Sequence, residues 1–117
     1  MNGPPPLLDE EQLDELRDDL GSGFAGFVKT FLGAMRVGME ELRSGLAAGD
    51  LEAVRQTAHR LKGSAGYLGT VDLARQLALL EDFVGTGDTA SAASQVETLA
   101  TAFAAVEPRL VACCEET

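Results

Sequence analysis

The chain has 117 residues, a length typical of one domain, and 45% of them are apolar, enough for one continuous core. Its 19 acidic and 9 basic residues give a formal net charge of −10. A charge of that sign repels phosphate backbones and anionic lipids, which argues against nucleic acid and membranes as partners. We expect a cytoplasmic protein, because the sequence shows neither an apolar run of about 20 residues nor a signal peptide.

The two ends of the chain differ in composition from its middle. Residues 1–8 contain three successive prolines, which cannot enter a helix interior, and are predicted to form a flexible leader. We assign residues 9–112 to a helical bundle and residues 113–117 to a C-terminal tail. Because Cys113 and Cys114 are adjacent and have no histidine nearby, we expect neither a structural disulfide nor a zinc site in this tail.

Apolar residues recur every three or four positions through most of the chain, which is the spacing of amphipathic helices. Asp9 followed three residues later by Gln12 resembles a capping box, and it predicts the start of a short first helix that ends at Gly21. A second, longer helix is predicted over residues 22–48.

Three further helices follow in the sequence. Asp50 is the predicted N-cap of a third helix, which ends where Gly69 and Thr70 break the chain. A fourth helix is predicted to end at Gly85, and Asp88 caps a fifth. No window alternates between apolar and polar residues with β-branched enrichment, so no sheet is expected. The sequence predicts an all-α protein, an up-and-down four-helix bundle with an additional short N-terminal helix.

The only histidine, His59, lies in the third predicted helix. On a helical wheel with about 100° per residue, it lies about 130° from the centre of the apolar arc. The imidazole is therefore predicted to face water or a partner rather than the core. An exposed histidine without a function is the alternative that position alone leaves open.

The neighbours of His59 on the wheel favour a docking surface. Within about 60° of it lie six residues: Glu52, Arg55, Gln56, Lys62, Gly63 and Gly66. A glycine in a helix interior costs about 1 kcal/mol relative to alanine, so two of them beside the imidazole indicate a surface that is kept bare. Residues 53–71 also contain Arg55, Arg60 and Lys62 and no acidic residue, which predicts a locally basic surface.

The sequence around His59 lacks the partners that most histidine chemistry requires. One histidine without a cluster of carboxylates or thiols does not make a metal site. The chain has no nucleophile elbow and no glycine-rich phosphate-binding loop, so no cofactor or nucleotide site is expected. What remains is a nucleophilic imidazole that accepts a group activated elsewhere and passes it on.

Residues 58–69 resemble the motif of the histidine-containing phosphotransfer (HPt) family of two-component and phosphorelay signalling. The family pattern is roughly Ala-His-x-Leu-Lys-Gly-Ser/Ala-x-x-x-x-Gly, and this segment matches it throughout. The resemblance extends over about residues 20–107 as a pattern of apolar positions and the pair Leu80-Glu81. It implies a four-helix bundle with an extra N-terminal helix, and a phosphoryl carrier rather than an enzyme.

The resemblance also implies roles for individual residues. His59 would be phosphorylated on Nε2, Lys62 would stabilise the phosphoryl group, and Gly63 would keep the site open. Tyr67 stands where many members of the family carry a smaller or amide side chain. Together with the wheel, the resemblance assigns partner docking to Arg55, Gln56, Arg60, Gly63, Ser64 and Gly66.

The partners implied by the resemblance are receiver domains, hybrid sensor histidine kinases, or both. Mg²⁺ is then expected in the acidic cleft of the receiver, which would supply most of the transition-state stabilisation. We expect a stand-alone, monomeric module. Two alternatives remain at this point. One is the phosphoacceptor and dimerisation domain of a sensor kinase, which usually has an acidic residue where Arg60 stands. The other is a receiver-binding bundle that does not transfer.

Overall fold

The structure, a computed structural model, describes residues 7–115 as five α-helices and one 3-10 turn. The helices are α1 (Glu10–Leu20), α2 (Phe24–Ala48), α3 (Leu51–Tyr67), α4 (Val71–Gly85) and α5 (Thr89–Glu115). The 3-10 turn, Gly21–Gly23, joins α1 to α2. No strand occurs among the described residues, and the all-α prediction is confirmed.

The last four helices form the bundle. Helix α2 packs on α3 and α5, and α4 packs on the same two neighbours, so that the four surround one core. Short connections join consecutive helices, as in an up-and-down bundle. Helix α1 is the additional N-terminal helix, and its buried Leu13 and Leu16 belong to the same core. No described helix is both long enough and apolar enough to cross a membrane.

The predicted helix caps are present. The carboxylates of Asp9, Asp50 and Asp88 each accept a hydrogen bond from the backbone N–H three residues later, at 3.0–3.1 Å. These bonds satisfy backbone donors that the first turn of a helix leaves without partners. Helix α2 ends at Gly49, whose φ of 72° lies in the left-handed region that glycine adopts without strain.

The second half of the capping box is not formed, because Gln12 is used elsewhere. Its side-chain amide donates hydrogen bonds to the backbone carbonyls of Gly66, at 2.7 Å, and Tyr67, at 3.0 Å. The backbone N–H of Asp9 donates to the carbonyl of Gly69 at 2.8 Å. The start of α1 therefore holds the end of α3.

Two glycines of α2 bring α2 and α3 into close contact. A Cβ built on Gly38 would lie 2.5 Å from Cδ1 of Leu61, and one on Gly45 would lie 2.7 Å from Cγ2 of Val54. Both distances are well below van der Waals contact. The absence of these two side chains therefore sets how closely α3 lies against α2.

Buried and helical residues also occur just outside the predicted limits of residues 9 and 112. Leu8, assigned to the leader, is buried, because it directly precedes the N-cap at the position from which a hydrophobic staple packs. Helix α5 continues to Glu115, and Cys113, assigned to the tail, is buried on its inner face. The predicted flexibility of residues 1–6 lies outside the described residues.

Candidate functional site

His59 lies on the outer face of α3, as the helical wheel predicted. Its side chain is 66% exposed. The neighbouring Ala58 and Leu61 are buried in the core. Helix α3 lies between α2 and α4, and both of these helices bring side chains to the surface around the imidazole.

Glu81 of α4 contacts both His59 and Lys62. Its Oε2 lies 3.2 Å from Nδ1 of His59, and its Oε1 lies 2.8 Å from Nζ of Lys62. The Glu81 side chain is only 17% exposed, whereas the imidazole and the ammonium are more open to solvent. One largely buried carboxylate therefore holds the histidine and the lysine of the motif side by side.

The contact with Glu81 determines which nitrogen of His59 carries the lone pair. A neutral imidazole has one N–H, and an ionised carboxylate can only accept a hydrogen bond. The tautomer that fits this contact has its proton on Nδ1, donating to Glu81 Oε2. Nε2 is then left unprotonated as a nucleophile on an exposed ring.

The pKa of Glu81 supports this assignment of protons. Burial raises the pKa of the carboxyl group, but hydrogen bonds from Lys62 and His59 outweigh burial. The net result is a pKa below the ordinary value of a glutamate. Glu81 is therefore ionised at neutral pH and acts as an acceptor for both neighbours.

The locally basic surface predicted around His59 is not present in that form, because each of its three cations pairs with a carboxylate. The pairs are Arg55–Glu52, Arg60–Glu41 and Lys62–Glu81, with N–O distances of 2.5, 3.2 and 2.8 Å. Two of these carboxylates come from α2 and α4, which a count along α3 does not include. The surface beside His59 is close to neutral.

Gly63 and Gly66 leave the surface beside His59 open. A Cβ on either residue would meet no atom within 4 Å, so neither glycine is required for helix packing. Gln56 is exposed and donates a hydrogen bond to Glu52 at 3.1 Å. Ser64 is also exposed, but it lies about 140° round the helix from His59, on the side of α2.

In the prediction from sequence Glu81 was only part of the pair Leu80-Glu81 that extends the family resemblance, and it was not assigned to the site, although it carries a usable signal. It follows the buried Leu77 and Leu80 by four residues and by one, at the edge of the apolar face of α4. A carboxylate at such an edge is partly desolvated and requires a cation or a donor. Its partners are 19 and 22 residues away, so only the packing of α3 against α4 identifies them.

The site offers one nucleophilic nitrogen, one ammonium group and one carboxylate. Within residues 7–115, no group of three or more His, Cys, Asp or Glu side chains is arranged to hold a metal ion. The chemistry that these groups support is acceptance of an activated group at Nε2 of His59, with Lys62 nearby for an anionic group.

Comparison with known proteins agrees with this chemistry. A model of the Hpt domain family matches residues 26–109. Histidine-containing phosphotransfer protein B (HptB) of Pseudomonas aeruginosa PAO1 is 28% identical, with a TM-score of 0.92 over 96% of this chain and 97% of that chain. A rice protein described as a candidate histidine-containing phosphotransfer protein is 19% identical, with a TM-score of 0.81 over 93% of this chain and 80% of that chain. Because the identity is so low, this second match shows a similar fold and no more.

Among curated proteins no match was found. The family model covers more than half of the chain, including the whole of α3 and α4. The helical bundle of this chain also matches the bundle of the solved HptB structure. The chain therefore belongs to the Hpt domain family of phosphotransfer proteins.

Proposed function

We propose that this chain is the phosphoryl carrier of a two-component phosphorelay, with His59 as its phosphoacceptor. His59 accepts the phosphoryl group on Nε2 from a sensor kinase or a receiver aspartate and passes it to a receiver domain. The observation that carries the proposal is the 3.2 Å contact between Nδ1 of His59 and Glu81 on an exposed imidazole. This contact leaves Nε2 unprotonated and accessible to a partner.

The transfer from a receiver is a displacement at phosphorus. The lone pair of His59 Nε2 forms the new N–P bond, and the P–O bond to the receiver's aspartate breaks, so that the carboxylate leaves with the electron pair. The imidazole becomes positively charged while Nδ1 keeps its proton. The ionised Glu81, at 3.2 Å, stabilises that charge as it develops. In the reverse step a receiver carboxylate attacks phosphorus, and the N–P electrons return to Nε2.

Lys62 supplies positive charge to the phosphoryl group. It lies three residues after His59, and its ammonium is held beside the ring through Glu81. On phosphorylation of Nε2, an N–H of this ammonium donates to a phosphoryl oxygen. Mg²⁺ is expected in the acidic cleft of the receiver, whose carboxylates would bind it.

The surface around His59 serves as the docking face for the partner. Gly63 and Gly66 allow the partner backbone to approach the ring, since nothing occupies the space above them. The side chains proposed to frame this space are Arg55, Gln56 and Arg60, whereas Ser64, on the side of α2, would contact only a partner that extends over that helix. The carrier acts as a monomer, and its partner is a receiver domain of a response regulator or of a hybrid sensor kinase.

A phosphotransfer assay with radiolabelled partners tests the proposal. The chain is incubated with phosphorylated receivers and autophosphorylated sensor kinases of its source organism, and label on the chain is followed over time. We expect acid-labile, alkali-stable label on the wild type and none on His59→Gln, which changes an exposed side chain outside the core. ³¹P NMR of the labelled protein is expected to report phosphorus on Nε2.

Two outcomes contradict the proposal. Label that persists in His59→Gln excludes this histidine as the acceptor. A receiver that binds the wild type without transferring label favours the alternative of a receiver-binding bundle. Circular dichroism of His59→Gln serves as the control that the bundle is intact.

A further inference from the structure

The α2 side of His59 carries an uncharged surface that the phosphoacceptor chemistry does not explain. Two contacts between α2 and the outer face of α3 mark its ends. The rings of Phe27 and Tyr67 meet edge to face at 5.4 Å, and Glu41 pairs with Arg60 at 3.2 Å. Between these contacts α2 exposes, at helical spacing, Thr30, Ala34 and Val37. We call this strip, with Gly63 and Tyr67 of α3, the uncharged floor.

The uncharged floor contains most of the exposed large apolar side chains of the described residues. Val37 is 61% exposed and Tyr67 is 54% exposed, and the third such residue, Val111, lies on α5. Aromatic and aliphatic side chains of this kind are typical anchors at the centre of protein–protein interfaces. Because Gly63 adds no side chain between them, the floor is open to a flat partner surface.

A small cleft opens at the Tyr67 end of the floor, between Tyr67 and α1. Its volume is about 170 Å³, and it is lined by Gln12, Glu15, Leu16, Asp19 and Tyr67. Two carboxylates one helical turn apart and one aromatic ring face this space, and no lysine or arginine is among the residues that line it. Carboxylates and the face of a tyrosine ring are the groups that recognise an ammonium or guanidinium.

The charge of α1 supports the same ligand chemistry. Residues 9–19 contain seven carboxylates and one arginine. By contrast, the three cations beside His59 are each paired with a carboxylate. Although Glu10 and Asp14 pair with Arg109 and Arg17, residues 9–19 keep a net negative charge, which attracts basic groups and raises the rate of encounter with them.

We propose that the receiver partner covers the uncharged floor and places one lysine or arginine side chain in the cleft between α1 and Tyr67. This inference rests on the proposed phosphotransfer function. Tyr67 follows His59 by eight residues, about 12 Å along α3. A typical interface covers about 800 Å² of each partner, equivalent to a disc about 16 Å in radius, so a receiver centred on His59 reaches the cleft.

Charge reversal in the cleft tests this assignment. The receiver that accepts label fastest from the wild type is used as the probe, and KM and kcat of transfer are measured for the double variant Glu15→Lys/Asp19→Lys. We expect KM to rise at least tenfold with kcat within a factor of two, because the cleft binds the partner and does not touch the reacting atoms. The transfer rate of the wild type is expected to fall with added salt, and that of the variant to stay nearly constant.

The matched control is Asp18→Lys, an exposed position on the same helix that does not line the cleft. Its KM is expected to change by less than threefold. The milder Glu15→Gln/Asp19→Asn, which adds no repulsion, is expected to raise KM by a smaller factor in the same direction. In the receiver, reversal of the matching basic residue to glutamate is expected to restore the KM of the charge-reversed double variant.

The result that overturns the inference is a KM for Glu15→Lys/Asp19→Lys equal to that of Asp18→Lys, or the absence of any receiver residue whose reversal restores it. Either result leaves label on His59 of the wild type unchanged. Failure of the proposed function is different, because it appears as unlabelled wild type or as label on His59→Gln. The two failures are therefore distinguishable in the same set of assays.

Discussion

Replacement of Gly63 by alanine is expected to stabilise the protein. Gly63 lies inside α3, and a Cβ built there meets no atom within 4 Å. An alanine in a helix interior is about 1 kcal/mol more favourable than a glycine, and no contact opposes this gain. For a domain of this length, about 1 kcal/mol corresponds to a rise in Tm of roughly 3–6 °C.

The same substitution on α2 is expected to have the opposite sign. In Gly38→Ala the new Cβ would lie 2.5 Å from Cδ1 of Leu61, which is buried in the core. Overpacking of this kind costs about 1–3 kcal/mol, which equals or exceeds the gain in helix propensity. Gly38→Ala is therefore the matched control, and its Tm is expected to stay level or to fall by several degrees.

Thermal and urea unfolding followed by circular dichroism measure both effects, and the phosphotransfer assay completes the test. A larger side chain, in Gly63→Leu, is expected to keep the fold and to slow transfer at least tenfold, because it occupies the approach to His59. A Gly63→Ala protein that is less stable than the wild type would refute the view that this position is open. Transfer by Gly63→Leu at the wild-type rate would refute the view that a partner needs the space.

Two further predictions concern contacts of α3. Glu81→Gln is expected to lower the free energy of unfolding by about 1–2 kcal/mol at pH 7. Because the pKa of Glu81 is lowered in the fold, its contribution is complete above the ordinary pKa of a glutamate and is lost as the pH falls through the lowered value. In urea titrations the difference from the wild type should therefore shrink as the pH is lowered from 7 to below the ordinary pKa of a glutamate. A difference that stays constant with pH would contradict the assignment of an ionised, hydrogen-bonded Glu81. Gln12→Ala removes the two hydrogen bonds to the end of α3, worth about 1 kcal/mol each. Hydrogen exchange at residues 68–70 is expected to accelerate relative to the middle of α3, and unchanged protection there would show that α1 does not hold this end.

The helices and the orientation of His59 could be predicted from sequence because both depend on local rules. The spacing of apolar residues sets which face of a helix is buried, and an aspartate before a helix accepts a hydrogen bond from the backbone N–H three residues later. His59 lies outside the apolar arc of its own helix, so its exposure follows without knowledge of the neighbouring helices. The proposed role of His59 as a phosphoacceptor came from the resemblance of the surrounding motif to the HPt family.

The electrostatics of the site could not be predicted in the same way. The basic segment around His59 loses most of its charge to Glu41 and Glu81, which packing brings from other helices. Glycines illustrate the same limit, since the sequence shows Gly38 and Gly63 alike, each as a glycine inside a predicted helix. Only the neighbouring helix determines that the first is in contact and the second is open. Ion pairs and close contacts between helices can be identified only when the packing of the helices is known.

The two faces of α2 have a consequence for the redesign of signalling specificity. On its inner face Gly38 and Gly45 lie against α3, and a larger side chain at either position must move the buried side chain of Leu61 or Val54 on the helix that carries His59. On its outer face Ala34 and Val37 are exposed, so the packing of the core does not limit the side chains at these two positions. If the proposed function holds, we expect a library confined to the outer face to change which receivers bind, without altering the surroundings of His59.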